Sequence, residues 1–337
     1  MKINHLSLFQ LSVGYRRRAV FKDINLSAAK CELIALIGRN GVGKSTLMRT
    51  IARLQPSISG EIKIAGKLLE QYSRNELAAI LSIVSTDTIG VAHLTVKQLV
   101  SLGRFPHTNW LGKLTKNDAI LVEEAMHLTG ITSLGEKNLH EISDGERQRA
   151  MIARTLAQDT DMILLDEPTA FLDMPNKYEI VNLLHRLTRT KQKTILFSTH
   201  DLNIALQEAD KFWLMIDDTM YEGAPEDLAL NGQFARMFEN TKLDFDDKNA
   251  QFNIKRNDKK PIKVAGEGKT FFWTKNALER LGFVVQKTEN TKQADISISS
   301  ENQTLWTINY REKSSQFTSI YQLVEFLKNH ENFCISK

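Results

Sequence analysis

One stretch of nine residues, GRNGVGKST at positions 38–46, constrains the fold of this 337-residue chain more than any other. It fits the pattern G-x-x-x-x-G-K-[ST], whose glycines let backbone N–H groups close around a phosphate. The apolar residues 33–37 before it predict a buried strand, and the amphipathic residues 46–52 after it predict a helix. A strand, a glycine-rich loop and a helix in this order predict an α/β domain that binds a phosphate at the helix N-terminus. A chance glycine-rich turn is the alternative, and the flanking elements disfavour it.

The loop offers both side-chain and backbone contacts to a nucleotide. Lys44 is expected to reach the β- and γ-phosphates, and the Ser45 hydroxyl is expected to bind Mg²⁺. The other loop residues are expected to bind mainly through their N–H groups: Gly38, Arg39, Asn40, Gly41, Val42, Gly43 and Thr46. The loop by itself therefore predicts a nucleotide and a magnesium ion, and leaves the reaction open.

A second apolar run, residues 162–165, ends in the paired acids Asp166 and Glu167. Removing two carboxylates from water is costly, so a buried strand that ends in them indicates a functional site. Asp166 is expected to hold Mg²⁺, and Glu167 is expected to polarise an attacking water. An exposed strand end with two solvated acids is the alternative.

The segment ISDGERQR, residues 142–149, lies about twenty residues before the paired acids. By itself it predicts a helix start, with Ser143 as the N-cap and Glu146 completing a capping box. Its position and sequence resemble the LSGGQ signature of ATP-binding cassette (ABC) ATPases. That resemblance implies that Ser143, Gly145 and Glu146 contact ATP that is held by a second subunit.

Three more segments match this family in chain order. Tyr15 matches the aromatic residue that stacks on adenine, and packing at a strand end is the alternative. The residues FLD, 171–173, are similar to the loop that crosses the dimer interface in the family. His200, after the apolar residues 194–197, matches the histidine that senses the γ-phosphate. The resemblance covers about residues 1–240.

The resemblance implies an α/β fold over residues 1–243: a P-loop NTPase ABC nucleotide-binding domain with a RecA-like core, an antiparallel β subdomain and a helical subdomain. Residues 244–262 are polar and basic and predict a linker region. Residues 263–337 predict a small α+β C-terminal extension, with helices near 271–281 and 319–328. This extension has no catalytic constellation. A regulatory role, a dimer-stabilising role and a structural appendage all remain open.

The residues GRFPH, 103–107, are similar to a G-R-x-P-[HY] segment of ATPases that serve iron-siderophore, haem and vitamin B12 (cobalamin) importers. A loop with a proline break is the alternative.

The single set of motifs implies a homodimer of this chain. No apolar run reaches the ~20 residues that span a bilayer. The resemblance therefore implies a separate polytopic permease, contacted near residues 86–110, and indirectly a substrate-binding protein. We expect a cytoplasmic chain, peripheral on the cytoplasmic face of the inner (plasma) membrane.

Two positions depart from the family pattern. The family carries a glutamine after the strand at residues 79–84, and that glutamine reaches Mg²⁺. Here Thr86 aligns best with it, and its shorter side chain would meet the metal only through a water. Asp87 is the alternative, because its carboxylate is a hard oxygen ligand that suits Mg²⁺. Asp144 replaces the first glycine of the signature, and its carboxylate is expected to point away from the γ-phosphate. We still expect ATP hydrolysis with both departures, and the sequence leaves its rate open.

Together the motifs predict an ATPase that converts ATP and water to ADP and phosphate, with Mg²⁺ as cofactor and Lys44, Glu167 and His200 as catalytic residues. Closure of the dimer around ATP would drive the permease. A soluble ABC ATPase and a nucleotide-dependent regulator are the alternatives. The net charge of +4 is small, so no nucleic-acid partner is expected, and neither Cys31 nor Cys334 has metal-ligand spacing. The sequence does not name the cargo.

Overall fold

The chain folds as two compact units. The computed structural model describes residues 4–15, 18–85, 94–108, 112–246, 251–254, 260–299, 304–310 and 313–330. The first unit comprises residues 1–239 with 245–251, and the second comprises residues 240–244 with 252–337. Each unit has its own apolar core.

The first unit contains ten strands and nine α-helices in its described residues. The strands are β1 (Leu6–Tyr15), β2 (Arg18–Ala28), β3 (Leu33–Gly38), β4 (Ser59–Ile64), β5 (Lys67–Leu68), β6 (Leu81–Val84), β7 (Met162–Leu165), β8 (Thr194–Thr199), β9 (Lys211–Ile216) and β10 (Thr219–Gly223). The helices are α1 (Lys44–Ile51), α2 (Arg74–Ile80), α3 (Val96–Ser101), α4 (Lys116–Leu128), α5 (Asp144–Ala157), α6 (Met174–Thr190), α7 (Leu202–Glu208), α8 (Pro225–Leu230) and α9 (Gln233–Met237). Short 3₁₀ turns lie at Leu69–Gln71, Leu102–His107 and Thr132–Leu134.

The central sheet of the first unit has six strands in the order β10-β9-β3-β8-β7-β6. Strands β9, β3, β8, β7 and β6 are parallel, and β10 pairs antiparallel at one edge. Every residue of β3, β7 and β8 is buried, as expected for a parallel sheet covered on both faces. The strands predicted at residues 33–37 and 162–165 are confirmed. Because β3, β8 and β7 lie side by side, the residues that follow them meet at one edge of the sheet.

Two further groups of elements complete the first unit. A four-stranded antiparallel sheet has the order β2-β1-β4-β5, and its apolar side chains share a core with Leu47 and Met48 of α1. Helices α3, α4 and α5 contact one another and form the helical group. The parallel sheet, the antiparallel sheet and this helical group confirm the predicted fold class.

In its described residues, the second unit has one five-stranded mixed sheet and two helices. A two-stranded sheet, β11 (Leu243–Asp246) with β12 (Gln251–Ile254), occurs where the chain passes between the units. The other strands are β13 (Lys260–Ala265), β14 (Phe283–Thr288), β15 (Ile296–Ser299), β16 (Leu305–Tyr310) and β17 (Lys313–Phe317), in the order β14-β13-β15-β16-β17. The helices are α10 (Gly268–Arg280) and α11 (Ile320–Asn329), with a 3₁₀ turn at Thr291–Gln293.

The core of the second unit joins the sheet to both helices. Ile262 and Val264 of β13 pack with Leu278 of α10 and with Leu323 and Leu327 of α11. The predicted helices of the extension are therefore confirmed, and its mixed α and β structure agrees with the predicted α+β extension.

The interval predicted as a linker, residues 244–262, contains regular structure. It holds most of β11, all of β12 and the first residues of β13. The polar, basic composition of this interval concealed the strands, because only one face of each strand is apolar. In β13, for example, Ile262 is buried while Pro261 and Lys263 on either side are exposed.

Among the described residues, no helix combines the length and the apolar composition that crossing a bilayer requires.

Candidate active site

The phosphate-binding loop connects β3 to α1, and its glycines are required by conformation and by space. Gly41 and Gly43 have φ values of +80° and +116°, in the region that glycine enters most easily. A Cβ on Gly43 would lie 2.8 Å from Cγ1 of Val20, and a Cβ on Gly38 would lie 2.9 Å from the Cβ of Met215. The spacing of the glycines in the sequence pattern therefore follows from the local geometry of this loop.

A cavity of ≈ 390 Å³ opens above the loop at the start of α1. Its lining consists of six loop and helix residues and one of the paired acids: Asn40, Gly41, Gly43, Lys44, Ser45, Thr46 and Glu167. The first N–H groups of a helix have no partner within the helix and carry partial positive charge. Gly43, the N-cap, supplies no side-chain cap, so the site suits an anion such as a nucleotide phosphate.

Lys44 is buried beneath this cavity with its charge partly compensated. Its Nζ donates to the carbonyl of Gly38 at 2.9 Å and to that of Arg39 at 3.4 Å, and it lies 3.7 Å from Oε1 of Glu167. Burial lowers the pKa of Lys44, while the neighbouring carboxylates of Glu167 and Asp166 oppose that shift. A cation held in this way can neutralise phosphate charge without first being taken out of water.

The paired acids follow β7 and are oriented by the neighbouring strand β8. Ser198 Oγ donates to Oδ1 of Asp166 at 2.7 Å and accepts from the backbone N–H of Glu167 at 2.8 Å. Asp166 is buried, and its N–H donates to the carbonyl of Val84 in β6 at 2.9 Å. Both acids are therefore held by the sheet, and the alternative of two solvated acids is wrong for Asp166.

Ser198 is a site residue whose role the sequence analysis missed. Its signal lay in strand alignment, since Leu165 of β7 pairs with Phe197 of β8 and the next residues, Asp166 and Ser198, come side by side. The sequence alone did not state which strands are neighbours. Once the sheet order is known, a serine opposite a buried carboxylate is an expected orienting group.

Glu167 combines an unusual backbone with a position between two other predicted catalytic residues. Its φ is +48°, in the left-handed region that non-glycine residues seldom adopt. Its Oε2 lies 3.5 Å from Nδ1 of His200, and its Oε1 is the atom that faces Lys44. Strained backbone is often retained where it aims a side chain into a functional site. The structure thus brings Lys44, Glu167 and His200 together at one edge of the sheet.

The residues present suit Mg²⁺. Hard oxygen ligands are the ones this ion prefers: Ser45 lines the phosphate cavity, and the buried Asp166 directly precedes Glu167, which also lines it. The described residues contain no cluster of three or more His, Cys, Asp or Glu side chains that could hold a metal without help from a ligand. A magnesium ion bound together with nucleotide phosphates fits this donor set. Thr86, predicted as a further ligand, and its alternative Asp87 lie outside the described residues.

Tyr15 lies at the end of β1, next to the loop. Its side chain is about half exposed, at 52%, and its hydroxyl accepts from Oγ1 of Thr46 at 3.2 Å. A residue packed away at a strand end would be buried, and Tyr15 instead presents a ring beside the helix that starts at the phosphate cavity. Stacking on adenine stays a prediction.

The signature segment lies at the start of α5. Ser143 is the N-cap, and its Oγ accepts from the N–H of Glu146 at 3.3 Å while Glu146 Oε2 accepts from the N–H of Ser143 at 2.8 Å. The hydrogen bonds to Ser143 lower the pKa of Glu146. The capping box expected from the residues alone is present. A γ-phosphate from a second subunit would be an additional contact, and it stays a prediction.

Gly145 and Asp144, the neighbours of this cap, have different surroundings. A Cβ on Gly145 would lie 3.0 Å from the side-chain amide of Asn176, so the close approach of α6 favours glycine. The Asp144 side chain is 73% exposed, and its Oδ1 lies 3.8 Å from Nη1 of Arg147. The carboxylate that replaces a family glycine therefore lies at the surface beside a cation.

Comparison with known proteins gives matches for both units. A family model described as "ABC transporter" matches residues 21–170, and a model described as "Iron ABC transporter C-terminal domain" matches residues 259–328.

Two curated relatives show the extent of the sequence likeness. The petrobactin import ATP-binding protein FpuD of Bacillus anthracis is 40% identical over 220 residues, which cover 65% of this chain and 81% of the relative. The iron(3+)-hydroxamate import ATP-binding protein FhuC of Bacillus subtilis is 40% identical over 203 residues, or 60% of this chain and 76% of the relative. Among solved structures, cbiO1 from Clostridium perfringens, described as part of the ABC transporter complex cbiONQ, aligns with a TM-score of 0.61 and 30% identity, covering 70% of this chain and 94% of the other.

Proposed function

The chain belongs to the ABC transporter family of ATPases, and on that basis we propose that it is the ATP-hydrolysing subunit of an importer for iron-siderophore complexes. The observation that carries the chemistry is the convergence of Lys44, Glu167 and His200 beside the phosphate cavity. The names of the relatives, which refer to petrobactin and to iron-hydroxamate import, favour a siderophore as cargo. The match of the second unit to an iron-transporter domain favours iron as well. Haem and cobalamin, which the GRFPH resemblance also admitted, have less support.

Hydrolysis would proceed by in-line attack of water on the γ-phosphate of ATP. The loop N–H groups and Lys44 would neutralise charge on the transferred phosphoryl group. Glu167, aimed by its backbone and by Ser198, would accept a hydrogen bond from the attacking water, and His200 would donate to the γ-phosphate. Mg²⁺ held by Ser45 and Asp166 would neutralise further phosphate charge when bound.

The second half of the site would come from another copy of this chain. Ser143 and Gly145 lie at the start of α5, where Ser143 caps the helix and Gly145 packs closely against Asn176. Phe171, in the segment similar to the interface loop, is 96% exposed with φ +63°, and Met174 is 70% exposed. Large apolar side chains with so much exposure favour a partner surface, and a homodimer closed around two ATP molecules would cover them.

The permease would bind the helical group. Within the predicted contact region, residues 86–110, the described side chains of Leu102 and Phe105 are 47% and 70% exposed. Apolar side chains at an otherwise folded surface suit a protein partner. A chain that docks on such a permease would be peripheral on the cytoplasmic face of the membrane, and a substrate-binding protein would act on the other side.

Steady-state ATP hydrolysis by wild type and Glu167→Gln tests the enzyme. We expect the variant to lose at least 100-fold in kcat, within the 10²–10⁴ range of general-base catalysis, while it still binds ATP and traps a dimer. Uptake of a ferric siderophore, ferric haem or cobalamin by vesicles carrying the chain with its permease then tests the cargo. If the chain hydrolyses ATP and no membrane protein co-purifies with it, a soluble ATPase is favoured. If the chain binds ATP but does not hydrolyse it, even when the permease is present, a nucleotide-dependent regulator is favoured.

A further inference from the structure

The last turn of helix α5 is held by the GRFPH segment. Arg104 donates from Nη1 to the carbonyl of Ala157, the last residue of the helix, at 2.8 Å. His107 Nε2 lies 2.9 Å from the carbonyl oxygen of Gln158, the C-cap residue, and can donate to it. The last carbonyls of a helix lack partners within the helix and carry partial negative charge, so a guanidinium is well suited to cap them.

Gly103 shows how closely the two segments approach each other. A Cβ at this position would lie 2.1 Å from the carbonyl oxygen of Arg154, in the last turn of α5. Backbone atoms cannot yield at that distance, so a side chain here would push the segment away from the helix. Three residues of the GRFPH motif thus act on the same helix end. Arg104 and His107 bond to it, and Gly103 leaves room for its close approach.

Arg104 also joins this helix end to the start of α4. Its Nε donates to Oδ1 of Asp118 at 2.8 Å, and both side chains are more than nine-tenths buried. Asp118 in turn caps the first turn of α4 with Thr115. Removing either charge would leave the other buried and unpaired, which makes the arrangement costly to disturb.

Phe105 lies between the two anchoring residues and points outward. Its side chain is 70% exposed, and its carbonyl accepts from the N–H of Thr108 at 3.2 Å and from Oγ1 of the same residue at 2.9 Å. Arg104 and His107, on either side of this exposed ring, bond to the end of α5 through their side chains. A force applied at the ring would reach the helix through hydrogen bonds rather than through a free loop.

We propose that residues 103–107 form a clamp that fixes the exposed Phe105 to helix α5, so that Phe105 and the signature at Ser143 move together. Helix α5 has 14 residues and spans about 20 Å, with the clamp at one end and Ser143 at the other. Arg104 and His107 are then positioning residues for ATP hydrolysis, although they lie a helix length from the signature. The inference deepens the proposed function and rests on it for the role of Ser143.

A distance measurement tests the clamp without relying on hydrolysis. Spin labels would be placed on Phe105→Cys and on His140→Cys, an exposed position three residues before Ser143, with Cys31 and Cys334 replaced by serine. We expect one narrow distance distribution that Mg-ATP leaves unchanged. Arg104→Lys and His107→Ala should each broaden it at least twofold. A broad distribution with the clamp intact, or no effect of either substitution, would overturn the proposal.

Kinetics of the full chain test the positioning role. Arg104→Lys and His107→Ala should lower kcat by about tenfold to 100-fold, the range of a small displacement of a catalytic group, with KM for ATP within about twofold. Rates are normalised to the fraction of chains that bind ATP, which removes losses from misfolding. His107→Gln, which keeps an N–H donor, should restore most of the rate.

The matched control is Arg186→Lys. Arg186 donates from Nη2 to the carbonyl of Leu128, the last residue of α4, at 3.3 Å, so the same substitution weakens a similar bond at a different helix end. It should leave both kcat and the distance distribution unchanged. If wild type, Arg104→Lys and His107→Ala have equal normalised kcat, the clamp only supports the structure, and the positioning role is overturned. A wild type that does not hydrolyse ATP would count against the proposed function, while the distance measurement would still decide the clamp.

Discussion

Helices α1 and α5 both begin at a functional motif, and their N-termini are satisfied in opposite ways. At α1 the N-cap is Gly43, no side chain caps the helix, and the first turn contains no acidic residue. At α5 the N-cap is Ser143, a complete capping box is present, and the first turn carries Asp144 and Glu146. The start of α1 therefore has no side-chain cap and lies beside a cavity, whereas the start of α5 is capped and carries two carboxylates of its own.

The difference indicates which end needs a ligand to complete it. An open helix start with a buried lysine beside it gains stability when an anion arrives, because the partial charges there have no other partner. A self-capped start is stable without a ligand and can meet an anion only as a second event. We therefore expect ATP binding to depend on α1 and the step that follows binding to depend on α5.

The strongest test of this contrast is Lys44→Met. Charge-assisted hydrogen bonds contribute about 1.5–3 kcal/mol, so ATP affinity should fall by about 10-fold to 150-fold. The free energy of unfolding should change little, since the burial that lowers the pKa of Lys44 opposes keeping the charge there. Calorimetric titration with Mg-ATP and chemical denaturation measure the two effects. Lys22→Met, at an exposed position, is the control, and an unchanged affinity in Lys44→Met would contradict an open phosphate site at α1.

The next test separates capping from catalysis at α5. Ser143→Ala should cost about 1 kcal/mol of stability, the usual value for a lost N-cap, and should also lower kcat by about tenfold. Ser73→Ala is the matched control because Ser73 and Glu76 form the same capping box at α2. The control should show the stability loss alone. If both variants keep wild-type kcat, Ser143 is only a cap.

A smaller effect is expected from Asp144→Asn. Loss of a carboxylate from the first turn should destabilise the helix by about 0.3–1 kcal/mol. The same loss should raise kcat/KM a few-fold if α5 approaches a γ-phosphate, because the substitution removes a negative charge from the helix end near the phosphate, although the Asp144 carboxylate itself points away. Glu226→Gln removes a first-turn acid from α8 and should reproduce only the destabilisation. A kcat/KM that stays level or falls in Asp144→Asn would contradict the approach of α5 to phosphate.

The last prediction concerns stability at the start of α4, which is self-capped as α5 is. Hydrogen bonds from Thr115 and from Arg104 lower the pKa of Asp118 from 3.8 to about 2. A lowered carboxyl pKa means that the stabilisation is present above about pH 4 and is lost as the pH falls towards 2. Unfolding measured between pH 5 and 2 should show this loss in wild type. Asp118→Asn should be less stable at pH 5 and should lack this part of the pH dependence.

Sequence reasoning reached most of the first unit because its motifs are local. The loop at residues 38–46 and the acids after residues 162–165 each carry their chemistry within a few positions, and the strands and helix beside them follow from apolar periodicity. The second unit was harder to predict. The first half of strand β13 lies in the interval predicted as a linker, and its lysines hid the strand because Ile262 and Val264 alternate with Pro261 and Lys263 over only a few positions.

What the sequence by itself determined is the list of reactive groups: a phosphate loop with Lys44, the paired acids, and His200 after an apolar run. Only the tertiary structure decided which of them meet and what holds them. The sheet order places Ser198 against Asp166, and the packing of α5 places Arg104 against Ala157, 53 residues along the chain. Periodicity and motif spacing describe neighbours in sequence, whereas contacts between distant residues depend on how strands and helices pack, which no local pattern encodes.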